Sequence, residues 1–280
     1  MSEVPGQPRR QASNLQLRVI SSVVLIALVL ALTFVGGWPF RLLSVLIAAG
    51  MFYEWVAMTR RAGGVALQIG SGALLGIVLL AVAVGASAPV VLGLLAAALV
   101  ISGVSGLVLR QGLWTTVGVA YAGLSAVTLA FLRDADAAGF AALLFLFAIV
   151  WATDILAYFV GRSIGGPKLA PAISPGKTWS GAIGGAIGGM IAGTVVAAVF
   201  GGGNFAGLAL VALVLSALSQ AGDLFESWVK RRSGVKDSGT IIPGHGGVMD
   251  RVDALVAAAL ALYVMGAVSG GLDHPARGLF

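Results

Sequence analysis

Apolar residues arrive along this chain in long runs, each closed by glycine, proline or charge. The runs cover 19–35, 40–58, 65–84, 89–109, 115–132, 138–160, 179–200, 205–224 and 252–268. Their breaks are places such as Gly36-Gly37-Trp38-Pro39, Arg60-Arg61-Ala62-Gly63-Gly64, Arg110-Gln111-Gly112 and Gly201-Gly202-Gly203-Asn204. A helix rises about 1.5 Å per residue, so about 20 apolar residues cross a hydrocarbon core of about 30 Å. The pattern predicts an all-α, polytopic integral membrane helix bundle of about nine transmembrane helices. The first run is too long for a signal-peptide core, and no small-residue cleavage site precedes a soluble mature chain.

Composition removes the alternatives. Of 280 residues, 59% are apolar and 10% charged, whereas soluble domains carry about 25% charged residues. Mean hydropathy is +1.01. The 41 glycines show no collagen period and suit close helix packing in lipid, which permits a homodimer. The absence of cysteine excludes disulfides, thiolate metal sites and cysteine nucleophiles. A net charge of +6 does not imply nucleic acid, because the cations fall into alternate loops. With the N-terminus inside and nine crossings, 14 of the 17 Lys and Arg lie on one side, leaving Arg41, Arg133 and Arg277 on the other. Positive loops mark the cytoplasm, so the predicted topology is N-in/C-out in the inner membrane, with the chemistry facing the cytoplasm.

The expected organisation is a basic tail over 1–18, membrane helices over 19–136, a catalytic membrane unit over 137–270 and a short tail over 271–280. Two connections within the catalytic unit, 161–178 and 225–251, are long, polar and on the cytoplasmic side. Residues 223–253 hold ten of the 28 charged residues, together with His245. Long loops in compact folds are commonly functional.

If the helix before the second loop continues to 231, Asp223, Ser227 and Lys230 or Arg231 share one face by their spacing. Asp250 and Asp253 are neighbours at the start of the next helix. Carboxylates without thiols suit Mg²⁺, which binds through one or two acids plus substrate phosphates. Lys and Arg hold phosphate charge, and Gly244, Gly246 and Gly247 allow backbone N–H groups near phosphate oxygens. These parts point to phosphoryl or nucleotidyl transfer. The plainer roles are interfacial caps for the acids, a positive-inside anchor for Lys230-Arg231-Arg232, and packing under the turn for His245. An anchor alone requires neither His-Gly-Gly nor an acid at both ends.

The order Ser227-x-Val229-Lys230-Arg231-x4-Lys236-Asp237-x-Gly239-x2-Ile242-Pro243-Gly244-His245-Gly246-Gly247-Val248-x-Asp250-Arg251-x-Asp253 resembles the phosphatidate cytidylyltransferase (CDP-diacylglycerol synthase) family. The first loop adds Asp154-x2-Ala157-Tyr158-x2-Gly161-Arg162 and Ser174-Pro175-Gly176-Lys177-Thr178-Trp179, similar to elements of the same family. The likeness covers about 150–260; the first 140 residues match only as hydrophobic helices. It departs at Ser180, where the family often carries Glu or Gln. Gly176-Lys177-Thr178 is not a nucleotide P-loop, because Pro171 stands where glycine is required and no strand is expected before it. It opens a membrane helix whose N-terminus attracts anions, with Ser174 or Thr178 as its cap.

The resemblance implies transfer of a cytidylyl group from CTP to phosphatidate, with Mg²⁺ as cofactor and acid count enough for a second cation. It implies metal binding by Asp223, Asp250 and Asp253. Lys230, Arg231, Lys236, Asp237, His245 and Arg251 complete the catalytic set with Asp223 and Asp250. Asp154, Tyr158, Ser174, Lys177, Thr178, Ser227, Gly246 and Gly247 form the substrate-binding set. A CTP-dependent polyprenol kinase, or an ion-coupled transporter using Asp154 and Asp223, are the alternatives. Glu54, inside the second run, is expected to form an interfacial pair with Arg60 and Arg61.

Overall fold

A computed structural model describes residues 14–59, 64–201, 204–242, 244 and 246–280, with side chains from residue 19 onward. Nine α-helices lie among them: α1 (Asn14–Val35), α2 (Gly37–Met58), α3 (Val65–Val84), α4 (Ala88–Val108), α5 (Trp114–Arg133), α6 (Ala137–Ile164), α7 (Trp179–Val199), α8 (Phe205–Arg232) and α9 (Met249–Gly270). Eight are long and apolar enough to cross a membrane, and α1 contributes the shorter apolar stretch Val19–Val35. The expected boundaries hold to within a few residues except around the two long loops. There α6 runs on to Ile164, and α8 adds two turns beyond Leu224. The second loop is therefore 233–248 rather than 225–251. Helix α1 starts inside the stretch read as a tail, and residues 1–13 lie outside the described residues.

The helix starts have identifiable causes. Asp136 caps α6 by accepting from Gly139 N at 2.8 Å, Thr178 caps α7 through Gly181 N at 3.1 Å, and Asn204 caps α8 through Gly207 N at 2.9 Å. Each satisfies a donor that the first turn leaves orphaned. Large side chains fill the interior, among them Met51, Trp55, Leu75, Leu129, Phe145, Ile149, Leu215 and Leu262. The outer face of α7 shows Ile183, Ile187, Ile191, Val195 and Val199, all exposed, as suits a helix bathed in lipid. Its inner face approaches α6 so closely that a β-carbon on Gly185 would lie 2.7 Å from the Thr153 carbonyl oxygen. Thr153 and Ser216 join α6 to α8 through a 2.6 Å hydroxyl contact.

The bundle has two polar ends. At one, buried Arg133 donates to the carbonyls of Thr33, Phe34, Asp134 and Asp136. The short 3-10 turn Pro275–Gly278 is held beside it by His274–Asp134 and Arg277–Asp136, both 2.6 Å. At the other end meet the C-termini of α2, α6 and α8 and the N-termini of α7 and α9, together with both chemically marked loops.

Candidate active site

The first loop folds as a small antiparallel hairpin that the sequence pattern did not reveal. Strand β1 (Lys168–Ala170) pairs with β2 (Ser174–Thr178), Lys168 opposite Thr178 and Ala170 opposite Ser174. A short strand does precede Gly176, contrary to expectation, but Pro171 still excludes a nucleotide P-loop. The hairpin ends in the Thr178 cap and thereby aims Lys177 at α8, where its ammonium pairs with Asp223 Oδ2. The two side chains are 29% and 28% exposed, so substrate can reach them. Ser174 begins β2. Ser180 donates to the Gly165 carbonyl, a local tie between the hairpin and α7.

The extension of α8 brings its acids and cations onto one face. Ser227 donates to Asp223 Oδ1 at 3.3 Å. One turn on, the Lys230 ammonium sits 2.6 Å from Asp250 Oδ1 and 3.4 Å from Glu226 Oε2. Asp250 in the first turn of α9 is closed off by the protein itself: Ser238 N, Ser238 Oγ and Gly247 N all lie 2.9 Å from its Oδ2. Three residues further along, Asp253 accepts from Ala254 N at 2.8 Å and faces the Glu226 carboxyl. Glu226 is fully buried, with the Lys230 ammonium and the Asp253 carboxyl as its neighbours. Asp154 on α6 is exposed and lies within Coulombic reach of Asp223, Asp253 and Lys177.

The remaining expected residues are less tightly held. Tyr158 is exposed, its hydroxyl accepting from Arg162 at 3.0 Å. Arg231 donates weakly to the Ile173 and Val235 carbonyls, and Lys236, Asp237 and Arg251 are exposed. Gly246 closes the turn by accepting from Ile242 N at 2.9 Å. The Gly247 N–H, expected to face phosphate, is engaged by Asp250. His245 lies outside the described residues.

Glu54 is the residue that sequence reasoning misplaced. Arg60 and Arg61 lie outside the described residues, and Glu54 has other partners. It is 1% exposed and accepts from Val248 N at 2.8 Å, Met249 N at 2.9 Å and Ser238 Oγ at 2.9 Å. The available signal was its position: a carboxyl within an apolar run needs interior partners, and its aromatic neighbours suggested the membrane surface instead.

Mg²⁺ was expected on Asp223, Asp250 and Asp253. Among the described residues no three acids or histidines form a ready metal cage. The oxygens of Asp250 are already met by four protein donors. Asp223, 28% exposed, and Asp253, within Coulombic reach of it, fit a hard cation that takes one or two carboxylates and completes its shell with water and substrate phosphate. Lys177 of the hairpin and Lys230 of α8 flank these acids, which is the arrangement needed to bring polyanions together.

Comparison with known proteins adds a second line. Residues 16–269 match the model of the cytidylyltransferase family. The phosphatidate cytidylyltransferase of Brucella suis biovar 1 (strain 1330) is 46% identical over 268 residues, covering 96% of this chain and 99% of that protein. The protein of the same name from Rickettsia bellii (strain RML369-C) is 31% identical over 262 residues, 91% of each chain. That from Haemophilus influenzae (strain ATCC 51907 / DSM 11121 / KW20 / Rd) is 46% identical over 121 residues, covering 41% of this chain and 42% of its own.

Proposed function

This chain belongs to the cytidylyltransferase family, and from that premise we infer that it condenses CTP with phosphatidate, giving membrane-bound CDP-diacylglycerol and free diphosphate. The observation that carries the chemistry is the convergence of Lys177 from the first loop and Lys230 from the end of α8 on acids of α8 and α9 at one polar end of a membrane bundle. Likeness to a phosphatidate cytidylyltransferase along 96% of the chain supplies the substrates.

In the reaction a phosphatidate monoester oxygen attacks the α-phosphorus of CTP, a new P–O bond forms, and the bond to the β-phosphate breaks with its electron pair leaving on diphosphate. A phosphate monoester has its second pKa near about 6, so the nucleophile is largely ionised at neutral pH without a dedicated base. The barrier is repulsion between two polyanions and the charge that grows on the leaving group. Lys177 is positioned to exchange its Asp223 partner for a phosphate oxygen, because both are accessible. Lys230, held between Asp250 and Glu226, presents a fixed ammonium whose position costs no reorganisation during transfer. Exposed Arg231, Lys236 and Arg251 raise the local positive potential that draws CTP from solution. Mg²⁺ held by Asp223 and Asp253 would supply Lewis-acid charge to the phosphoryl oxygens and leaving group. Asp250 then serves the loop and Lys230 rather than the metal.

Phosphatidate approaches through the membrane surface and CTP through water, so the site belongs at an interface. The excess of Lys and Arg on the loops at this end supports a cytoplasmic orientation, N-in/C-out, in the inner membrane. The test is incubation of purified protein with cytidine-labelled CTP, phosphatidate and Mg²⁺, measuring the lipid product and diphosphate together. Equal release of label into lipid and of diphosphate is expected. Release of CDP, with no cytidine in lipid, rejects the assignment.

A further inference from the structure

The N-terminus of α9 lacks a cap of its own. Val248 offers no side-chain hydrogen bond there, yet Val248 N and Met249 N are among the donors that a first turn leaves orphaned. The missing acceptor comes from α2, as Glu54 Oε1 takes Val248 N and Oε2 takes Met249 N. A negative group at that end also suits the helix dipole. The same Oε2 lies 2.9 Å from Ser238 Oγ, which is also 2.9 Å from Asp250 Oδ2. A hydroxyl has one proton, so Ser238 donates to one carboxylate at a time and couples the two. Space is equally tight: a β-carbon on Gly247 would stand 2.5 and 2.6 Å from the Glu54 oxygens.

We propose that Glu54 is a positioning residue for cytidylyl transfer: it clamps both ends of the loop 238–248, and so fixes Asp250 and, through Asp250, the ammonium of Lys230. The proposal rests on the transfer reaction inferred above. It gives the N-terminal helices a part in the site: α2 contributes the clamp without touching substrate. Lys230 answers charge that grows during transfer, so its displacement lowers turnover more than substrate binding. Misplacing a fixed charge by about 1 Å costs about 10²-fold in rate.

Glu54→Gln tests this, because it keeps the volume but turns an amide NH2 toward donors. The expected result in full-length protein is a kcat lowered about 10²-fold with KM for CTP and phosphatidate changed less than about threefold. Hydrogen exchange at the amides of 238, 248 and 249 should quicken by at least about tenfold. Glu54→Asp, which keeps the charge on a shorter arm, should recover part of both. If Glu54→Gln does not insert, Ser238→Ala replaces it, with the same split at smaller amplitude and faster exchange at 248 and 249. Unchanged kcat or unchanged exchange in whichever variant folds overturns the proposal, as does an equal rise in KM accounting for the whole loss. Wild-type protein that makes no CDP-diacylglycerol would reject the transfer reaction instead, while the exchange measurement would still judge the clamp.

Discussion

Lys230 of α8 and Asp250 of α9 meet at 2.6 Å, the ammonium also touching Glu226 at 3.4 Å. Their side chains are 13% and 7% exposed, and that of Glu226 is wholly buried. Removing one partner of such a buried pair leaves the other uncompensated, at a cost of about 3–5 kcal/mol. Lys230→Met is therefore expected to lower the unfolding temperature in detergent and to abolish product formation. Lys230→Arg should keep most of the stability while losing activity, because a planar fork does not reproduce a point charge between two acids. Thermal unfolding and turnover measured on both variants check this.

The Lys177–Asp223 pair behaves differently, because both side chains are more than a quarter exposed. Exposed pairs contribute about 0–1 kcal/mol. Lys177→Met should leave the unfolding temperature nearly unchanged and reduce kcat about 10²–10³-fold, the scale of losing one fixed stabilising charge in a transition state. A stability loss as large as that of Lys230→Met would show that the pair is structural.

Magnesium dependence separates the acids. Asp223→Asn and Asp253→Asn should raise the Mg²⁺ concentration for half-maximal activity by about 10–100-fold. Asp250→Asn should lower kcat and stability without moving that midpoint, since its four partners are all protein donors. A Mg²⁺ titration of the three variants beside wild type is the measurement. A shifted midpoint for Asp250→Asn would return that residue to the metal.

At the opposite end of the bundle, Asp136 caps α6 and pairs with Arg277. Burial pushes its carboxyl up, but the Gly139 N–H and the Arg277 guanidinium outweigh this and hold it below the ordinary range. A lowered folded-state pKa means that the stabilisation is fully present above the unfolded value of about 3.9 and is lost as pH falls through the lower folded value. Asp136→Ala should thus cost about 1 kcal/mol at neutral pH. The gap in unfolding temperature should stay constant from pH 8 to about 5 and narrow below about 4. A gap that widened in acid would reverse the sign.

Much of this protein is written in its apolar runs. Lipid gives backbone groups no partner, so each crossing must be a helix of nearly fixed length, and 65–84 could be delimited to the residue from hydropathy alone. The residues of the candidate site were legible as well, because Asp223, Lys230, Asp250 and Lys177 stand in polar, charged stretches that an apolar chain has little other reason to carry. The hairpin at 168–178 was hidden, since three- and five-residue strands leave no periodicity. Which acid serves which partner was also hidden. Glu54 and Met249 stand 195 positions apart, and nothing local to either declares the other. Only packing α2 against the start of α9 presents that carboxylate with two orphaned N–H groups and the Ser238 hydroxyl. The same packing encloses Asp250 in donors, while Asp223 meets Lys177 and Asp253 faces Glu226. Helix count and polar ends follow from solvation, which each segment obeys by itself; the division of labour among the acids follows from contacts that exist only once the helices have assembled.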